Sequence, residues 1–542
     1  GLVTTTASAS VSPFGSPNHH TRFKINNNIV FDETGFGCFQ FRADVEVPVS
    51  ELSNSTPVTW EIVGDLPVAT QYQAITHYSI RYPRQPFFGN ENFADFDLPN
   101  SNSSFSRLDV TPIANTNNPI YFSFGSTFRR LIPELVNGKH VVLVPRNDTN
   151  NDTRIISYNP NSARIITQLT TVNGTGTFTN YHASNIEKAY IIIYPTPLQA
   201  GAQAYKNYRQ SMSGGSYNVV TANVDELYFQ YGGGVKKHIS AIRNFANSIY
   251  QKSTEKPEAL LLLGKGISNE RFRFNSANYQ ENMVPTFGIP ASDLLITSNL
   301  PGTTKVAPLM PTGRISVNSN QGILDYLSRL EVYEEQQNHQ DVYDSPNKDW
   351  QKHAIHLVGG TDLFQQSEFN AQMTMMKNTL ERDLFAGKVI TVKRESDDPI
   401  APNQLQRITD RIQEGTSIMT YYGHYGIGDN GFEINLDDVS NWGNTGKYPL
   451  MIVNSCFNGD IFKPGLTSSS EYFVNAQNVG AIGYLSSTST GFHPAVGTYS
   501  NRLYLQFSKY GYSQTIGEQM ITAINATYSP YYLFTEVTAT QM

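Results

Sequence analysis

From about residue 186 onward, segments that are largely apolar along their length alternate with amphipathic helical stretches. AYIIIY (189–194) is followed by LQAGAQAYKNYRQSM (198–212), NVVTANV (218–224), HISAIRNFANSIYQ (238–251) and ALLLLG (259–264). A strand that is apolar on both faces must be covered on both. Parallel sheets meet that demand, because the crossovers joining parallel strands lay helices against each face. The pattern runs twice. After a polar, helical connector, EVYEEQQNHQDVYDSPNKDWQ (331–351), it restarts with AIHLVGG (354–360), a helix over about 368–384 and KVITVK (388–393). A helix over 404–413, SIMTYYG (417–423), YPLMIVNS (448–455), a helix over 468–478 and GAIGYLSS (480–487) complete it.

The residues before this repeat read differently. HYSIRYPRQ (77–85), PIYFSFG (119–125) and KHVVLVPR (139–146) alternate polar and apolar positions and are separated by runs of Asn, Ser, Thr and Pro, the pattern of a β-rich domain. The expected fold class is therefore α/β, with a β-rich N-terminal region over 1–183, a first α/β subdomain over 184–350 and a second over 351–542. A chain of 542 residues is too long for one hydrophobic core and agrees with such a division. Charged residues are only 16% of the chain, while Tyr (31) and Phe (30) are plentiful, which suits strands and long loops outside the cytoplasm. The net charge of -7 and the lack of a basic stripe argue against a nucleic-acid partner. No apolar run approaches the roughly 20 residues of a membrane helix, and no signal peptide precedes Gly1, so the expectation is a mature or trimmed soluble portion. Cys38 and Cys456 are too few for a disulfide framework; a bridge between them stays open, whereas a structural zinc site would need four grouped ligands.

In open parallel sheets, ligands sit outside the carboxyl ends of the strands. TYYGHYG (420–426) leaves its strand into His424, and PLMIVNSC (449–456) leaves into Cys456. If these strands are neighbours, imidazole and thiol project from one edge as a base and a nucleophile. Singly, each has a plainer reading: a free Cys at a strand end is a small buried hydrophobe, and a His is a hydrogen-bonded structural residue. The flanking Gly423, Gly426 and Gly459 suit sharply turning strand ends.

GHYG (423–426) and NSCFNGD (454–460) resemble the His and Cys motifs of the gingipain-type cysteine peptidases. The resemblance runs from about 186 to 535, through EKAYIIIYPTPLQAGAQAYKNYRQS, VDELYFQYGGGVKKHISAIRNF, ALLLLGKG, PTFGIPASDLL, PTGRISV (311–317) and SSSEYFVNAQNVGAIGYLSSTSTG. The ISAIRNF block and the β-rich lead most resemble the sortase branch of that family, which belongs to the bacterial type IX secretion system. The resemblance implies two tandem caspase-like α/β subdomains, the second catalytic. It implies Cys456 as nucleophile, His424 as general base and later acid, and an oxyanion held by the backbone N–H groups of Cys456 and Tyr425. It also implies a carboxylate orienting the imidazole. Asp362, in VGGTDLF, fits that place and fits equally well as a helix cap, while Glu395 and Asp397 read as solvated turn residues. Two departures stand out: Tyr425 follows His424 where the family usually has Gly, which puts the oxyanion hole in question, and Lys265 stands where an acidic residue is common.

No cofactor is implied, and GKG (264–266) lacks the full phosphate-loop pattern. Structural calcium is a family trait, but Asp429, Asp437 and Asp438 do not have EF-hand spacing and read as solvated loop. Trp442 and Phe492 read either as pocket lining or as core, and Met419, Met451 and Ile452 as strand core. The function implied is that of an extracytoplasmic peptidase or transpeptidase associated with the bacterial outer membrane. It would cleave the C-terminal sorting domain of secreted cargo through a Cys thioester and pass the acyl group to an amine of surface lipopolysaccharide. A β-barrel partner such as PorV would hold it at the membrane. Sortases of this type resemble longer proteins with further β domains, so whether the chain is a fragment stays open. A plain secreted endopeptidase and a catalytically silent surface scaffold are the alternatives.

Overall fold

A computed structural model describes residues 2–7, 17–36, 39–68, 71–86, 91–111, 118–125, 127–146, 151–169, 171–273, 275–303, 307–338, 345–393, 402–425, 436, 438–465 and 468–527. Cys38, Glu395, Asp397, Asp429 and Asp437 lie outside the described residues. The chain divides into two compact units, Gly1–Leu169 and Thr170–Met542.

The first unit is built of antiparallel sheets. One joins Phe128–Leu131, Ile120–Phe124, Thr153–Tyr158 and Phe93–Leu98, and another joins Glu134–Val136, Lys139–Pro145 and Phe105–Val110. They share a core of Val110, Tyr121, Val142, Val144 and Ile155. Along Lys139–Pro145, His140, Val142 and Val144 are buried and their neighbours are not, the period-two pattern of a strand with one face on a core. Two further three-stranded sheets pair Leu2–Ala7 with Phe39–Ala43 and Tyr72–Tyr78, and His19–Ile25 with Asn28–Gly35 and Val58–Ile62. The strand expected over 77–85 is corrected: it runs Tyr72–Tyr78, and 79–85 is not strand. Pro83, with no N–H to give a ladder, lies in the part that is not strand.

Among the described residues, the second unit contains nine parallel strands in two sheets. The first sheet has the order β2-β1-β3-β4, where β1 is Ala189–Tyr194, β2 Asn218–Asn223, β3 Ala259–Leu263 and β4 Thr312–Ile315. The second has the order β6-β5-β7-β8-β9, where β5 is His353–Val358, β6 Lys388–Lys393, β7 Ile418–Tyr422, β8 Leu450–Asn454 and β9 Gly483–Ser486. Every residue of β5, β7 and β8 is buried, as uniformly covered strands require.

In the first sheet, Ile191, Ile193 and Leu262 pack under helix Ser240–Lys252, while Ile192, Leu261 and Leu263 pack against helices Gln199–Gln210 and Asn320–Asn338. In the second, Ile418, Tyr422 and Ile452 face helices Leu363–Arg382 and His493–Leu505, and Met419, Met451 and Val453 face Ile408, Ile412, Trp442 and Phe473. The helix expected over 368–384 begins at Leu363, because Asp362 caps it.

Two buried histidines, one in each unit, respond to pH in opposite directions. His356, on β5, accepts or donates through Nε2 with the Tyr504 hydroxyl at 3.0 Å, and burial pushes its pKa down to about 3. Below the ordinary value of 6.5 the unfolded chain takes up a proton that the folded one refuses, so stability falls as pH drops towards about 3, by up to about 1.4 kcal/mol per pH unit. His20 lies 2.6 Å from Asp32 and 2.7 Å from Asp65; burial disfavours its charge, but hydrogen bonds to Asp65 and Asp32 outweigh that and raise its pKa. Its contribution is present below about 6.5 and fades as pH rises through the raised value. We predict that His356→Gln flattens the loss of stability of the second unit between pH 6.5 and 4, and that His20→Gln flattens a loss in the first unit on the alkaline side. Thermal melts over pH 4 to 9 check this, and parallel curves for wild type and variant would sink it.

Candidate active site

The two strand ends singled out by the sequence are neighbours. β7 pairs with β8 in parallel, with Tyr422 opposite Asn454, and the N–H of Gly423 donates to the Asn454 carbonyl at 3.2 Å. The pairing thus continues past the last strand residue of β7, and His424 and Cys456 leave from the same edge of the sheet. Both are half-buried. The Tyr421 hydroxyl donates to the His424 carbonyl at 2.9 Å and fixes the backbone there.

The turn after β8 is stitched to the chain leaving β9. The Phe457 N–H donates to the Ser489 carbonyl at 2.8 Å, and the Gly459 N–H to the Ser487 carbonyl at 3.0 Å. A Cβ on Gly459 would lie 2.6 Å from the Ser486 carbonyl oxygen, so only glycine fits this approach. Phe457 has a φ of +54°, which for a side-chain-bearing residue costs about 1–3 kcal/mol and persists only where surrounding structure imposes it. The Gly491 N–H points at the Cys456 sulfur, 3.4 Å away, and the Gly491 carbonyl lies 3.8 Å from it.

His424 Nε2 is 3.0 Å from Gln365 Oε1. That oxygen also accepts from the Thr361 N–H at 3.1 Å and the Thr361 hydroxyl at 2.8 Å, so its identity as the amide oxygen follows from its donors. Nε2 therefore carries the proton, and Nδ1 is the nitrogen with a lone pair. Asp362 accepts the Gln365 N–H at 2.9 Å as the cap of helix Leu363–Arg382. It holds the helical turn from which Gln365 reaches the imidazole. Phe369, one turn further on, meets the His424 ring edge-on at 5.8 Å and stacks on His493 at 4.8 Å. Burial, with Glu368 opposing it, lowers the pKa of His493.

Around the strand ends, Tyr425, Phe457 and Phe492 are 41%, 38% and 40% exposed. The Lys463 ammonium lies 5.9 Å from the Tyr425 ring centre and 6.0 Å from that of Phe457. Asp460, buried in the turn after Cys456, takes both guanidinium nitrogens of Arg271 at 3.1 Å and lies 3.5 Å from Lys463. Trp442 does not line this rim: it is fully buried and stacks on Phe473 at 5.2 Å, which corrects the pocket reading. Asp438 caps the short helix Val439–Asn441 by accepting from Ser440. Among the described residues no group of three or more His, Cys, Asp or Glu is placed to hold a metal.

Lys265, at the exit of β3, is buried and forms an ion pair of 2.6 Å with Glu471, which also accepts from Ser316 Oγ at 2.6 Å and closes a capping box with Ser468. The departure from the family pattern at 265 is thus a buried bond between the two halves of the unit.

A fold of two covered parallel sheets, with imidazole and thiol at adjacent strand ends, is that of a caspase-like cysteine peptidase. The chain belongs to peptidase family C25, whose family model matches residues 183–542. Among solved structures it is similar to the complex of the pro- and mature domains of RgpB from Porphyromonas gingivalis (15% identity, 65% of this chain and 77% of that chain, TM-score 0.48). It is similar also to the Arg-specific cysteine proteinase gingipain R (14%, 67% and 78%, TM-score 0.48) and to dimeric latent PorU from Porphyromonas gingivalis (13%, 68% and 38%, TM-score 0.35). No curated protein matches the chain.

Removing one partner of a buried ion pair leaves the other charge uncompensated and costs about 3–5 kcal/mol, whereas replacing both by apolar residues is close to neutral. We predict that Lys265→Met and Glu471→Leu each destabilise the second unit by about that much and that the double variant recovers most of it. Urea unfolding measures this; single variants within about 1 kcal/mol of wild type would contradict the pairing.

Proposed function

We propose that the protein is a cysteine endopeptidase in which Cys456 is the nucleophile and His424 its base and acid. The observation that carries the reading is the pairing of β7 with β8 in a chain of peptidase family C25, which sends an imidazole and a thiol out of one sheet edge. In this reading His424 Nδ1 holds the thiol proton while the sulfur attacks the scissile carbonyl carbon, and Gln365 keeps the ring in the required tautomer. Backbone N–H groups at Cys456 and Tyr425 take the oxyanion, so the tyrosine side chain is compatible with the role that the amide performs. The imidazolium then protonates the leaving amine, and a thioester remains on Cys456.

What accepts the acyl group separates two versions of the activity. Water gives a plain peptidase. An amine gives a sortase, the version that the ISAIRNF block and the β-rich lead favour, with secreted cargo as substrate, surface lipopolysaccharide as acceptor and an outer-membrane β-barrel as partner. The test is to incubate the protein with a cargo C-terminal domain and a graded concentration of a small amine, and to identify the products by mass spectrometry. Cleavage that disappears in Cys456→Ala and falls about 10²–10⁴-fold in His424→Ala is expected. An amide product rising with amine concentration is expected for the sortase version, and free acid alone would reduce the reading to a peptidase. Cleavage that survives in Cys456→Ala would refute both.

A further inference from the structure

We propose that Lys463, lying over the rings of Tyr425 and Phe457, forms a carboxylate-binding subsite that selects peptides with an acidic residue beside the scissile bond. This rests on the reading of His424 and Cys456 as the acyl-transfer pair. Tyr425 is the residue directly after His424 and Phe457 the residue directly after Cys456. One ammonium lying 5.9 Å and 6.0 Å from their ring centres is therefore adjacent to both halves of the pair. Ring faces hold a cation in place without cancelling its charge and without using up its N–H donors.

The nearest carboxylate does not cancel it either. Asp460 is buried and already takes two hydrogen bonds from Arg271, with its Oδ1 also accepting from the Phe462 N–H at 3.3 Å. Lys463 stands further off, at 3.5 Å. The two-pronged Arg271–Asp460 pair neutralises itself, which leaves the more distant Lys463 ammonium able to meet a further carboxylate. Among the described residues, Glu281 accepts the Gly465 N–H, and Glu368 acts on His493 and Tyr422. Lys463 is 30% exposed, and the Tyr425 and Phe457 rings are exposed as well, so a substrate side chain can lie along the rings and end at the ammonium. A lysine or arginine of the substrate would meet repulsion at the same place. A charge pair at this half-exposed position is expected to favour Glu over Gln on the order of ten-fold, and less at high salt.

The test uses the full chain and internally quenched peptides that differ only at the residues flanking the cleaved bond. We expect kcat/KM to be about ten-fold higher for Glu than for Gln at one of these positions, with the ratio shrinking as ionic strength rises. In Lys463→Met, which keeps the apolar stem over the rings, the ratio should fall to about one; in Lys463→Glu the preference should turn towards Lys. Equal rates for Glu and Gln in the wild type, or an unchanged ratio in Lys463→Met, would overturn the subsite and leave the peptidase reading standing. No cleavage of any peptide would overturn both.

Discussion

The parallel pairing of β7 with β8 is the constraint on which the site depends. Because the strands run the same way, both chains emerge at one edge; an antiparallel pair would put His424 and Cys456 at opposite ends of the sheet. Register matters as much as direction. A slip of one residue moves one strand by about 3.3 Å along the other, enough to take an imidazole out of reach of a thiol. What holds the register is burial on both faces: Ile418, Tyr422 and Ile452 on one side and Met419, Tyr421, Met451 and Val453 on the other, each worth about 1.5–3 kcal/mol when removed from water. A slip would exchange the two sets, and the Gly423 to Asn454 hydrogen bond would be lost with them.

The edge is then braced from the first half of the same unit. Lys265 leaves β3 to pair with Glu471, Arg271 grips Asp460 in the turn that follows Cys456, and Arg329 donates from its buried guanidinium to the carbonyls of Val474, Ala476 and Ala481. All three cations come from the first sheet's side, and all five acceptor residues lie in the segment between β8 and β9. The first half carries neither His424 nor Cys456, and its physical part in the site is to fix the turn that presents the thiol. Fixing matters there because Phe457 is held in a left-handed conformation that an unbraced loop would relax.

The parts of this account that were legible in the sequence are those written in local pattern. Uniformly apolar segments such as ALLLLG and YPLMIVNS announce strands covered on both faces, and a polar residue at the end of such a run announces a strand exit. His424 and Cys456 could therefore be found from one segment each. Gln365, Gly491 and Arg271 could not, since each reaches the strand ends from a distant segment, and Lys463, though it follows Cys456 closely, is marked by nothing in its own neighbourhood. Asp362 had two readings; its bond to the Gln365 N–H is that of a helix cap, which local sequence could suggest but not choose. Trp442 sits in a polar stretch, and its burial comes from the core it joins with Ile408, Ile412, Met451 and Phe473. The strand misread over 77–85 shows the limit of alternation as a guide where a proline removes a ladder donor.

The central claim is that His424 acts on Cys456 across the β7–β8 edge. The most direct measurement is the rate at which iodoacetamide alkylates Cys456 near pH 6 in the folded protein, read by peptide mass spectrometry. The account predicts that Cys456 reacts much faster than a free cysteine under the same conditions, that the rate drops towards the free-thiol value in His424→Ala, and that the fold of that variant is intact. A Cys456 that labels slowly in the wild type, or at the same rate with and without His424, would contradict it and make the residue a packed strand end.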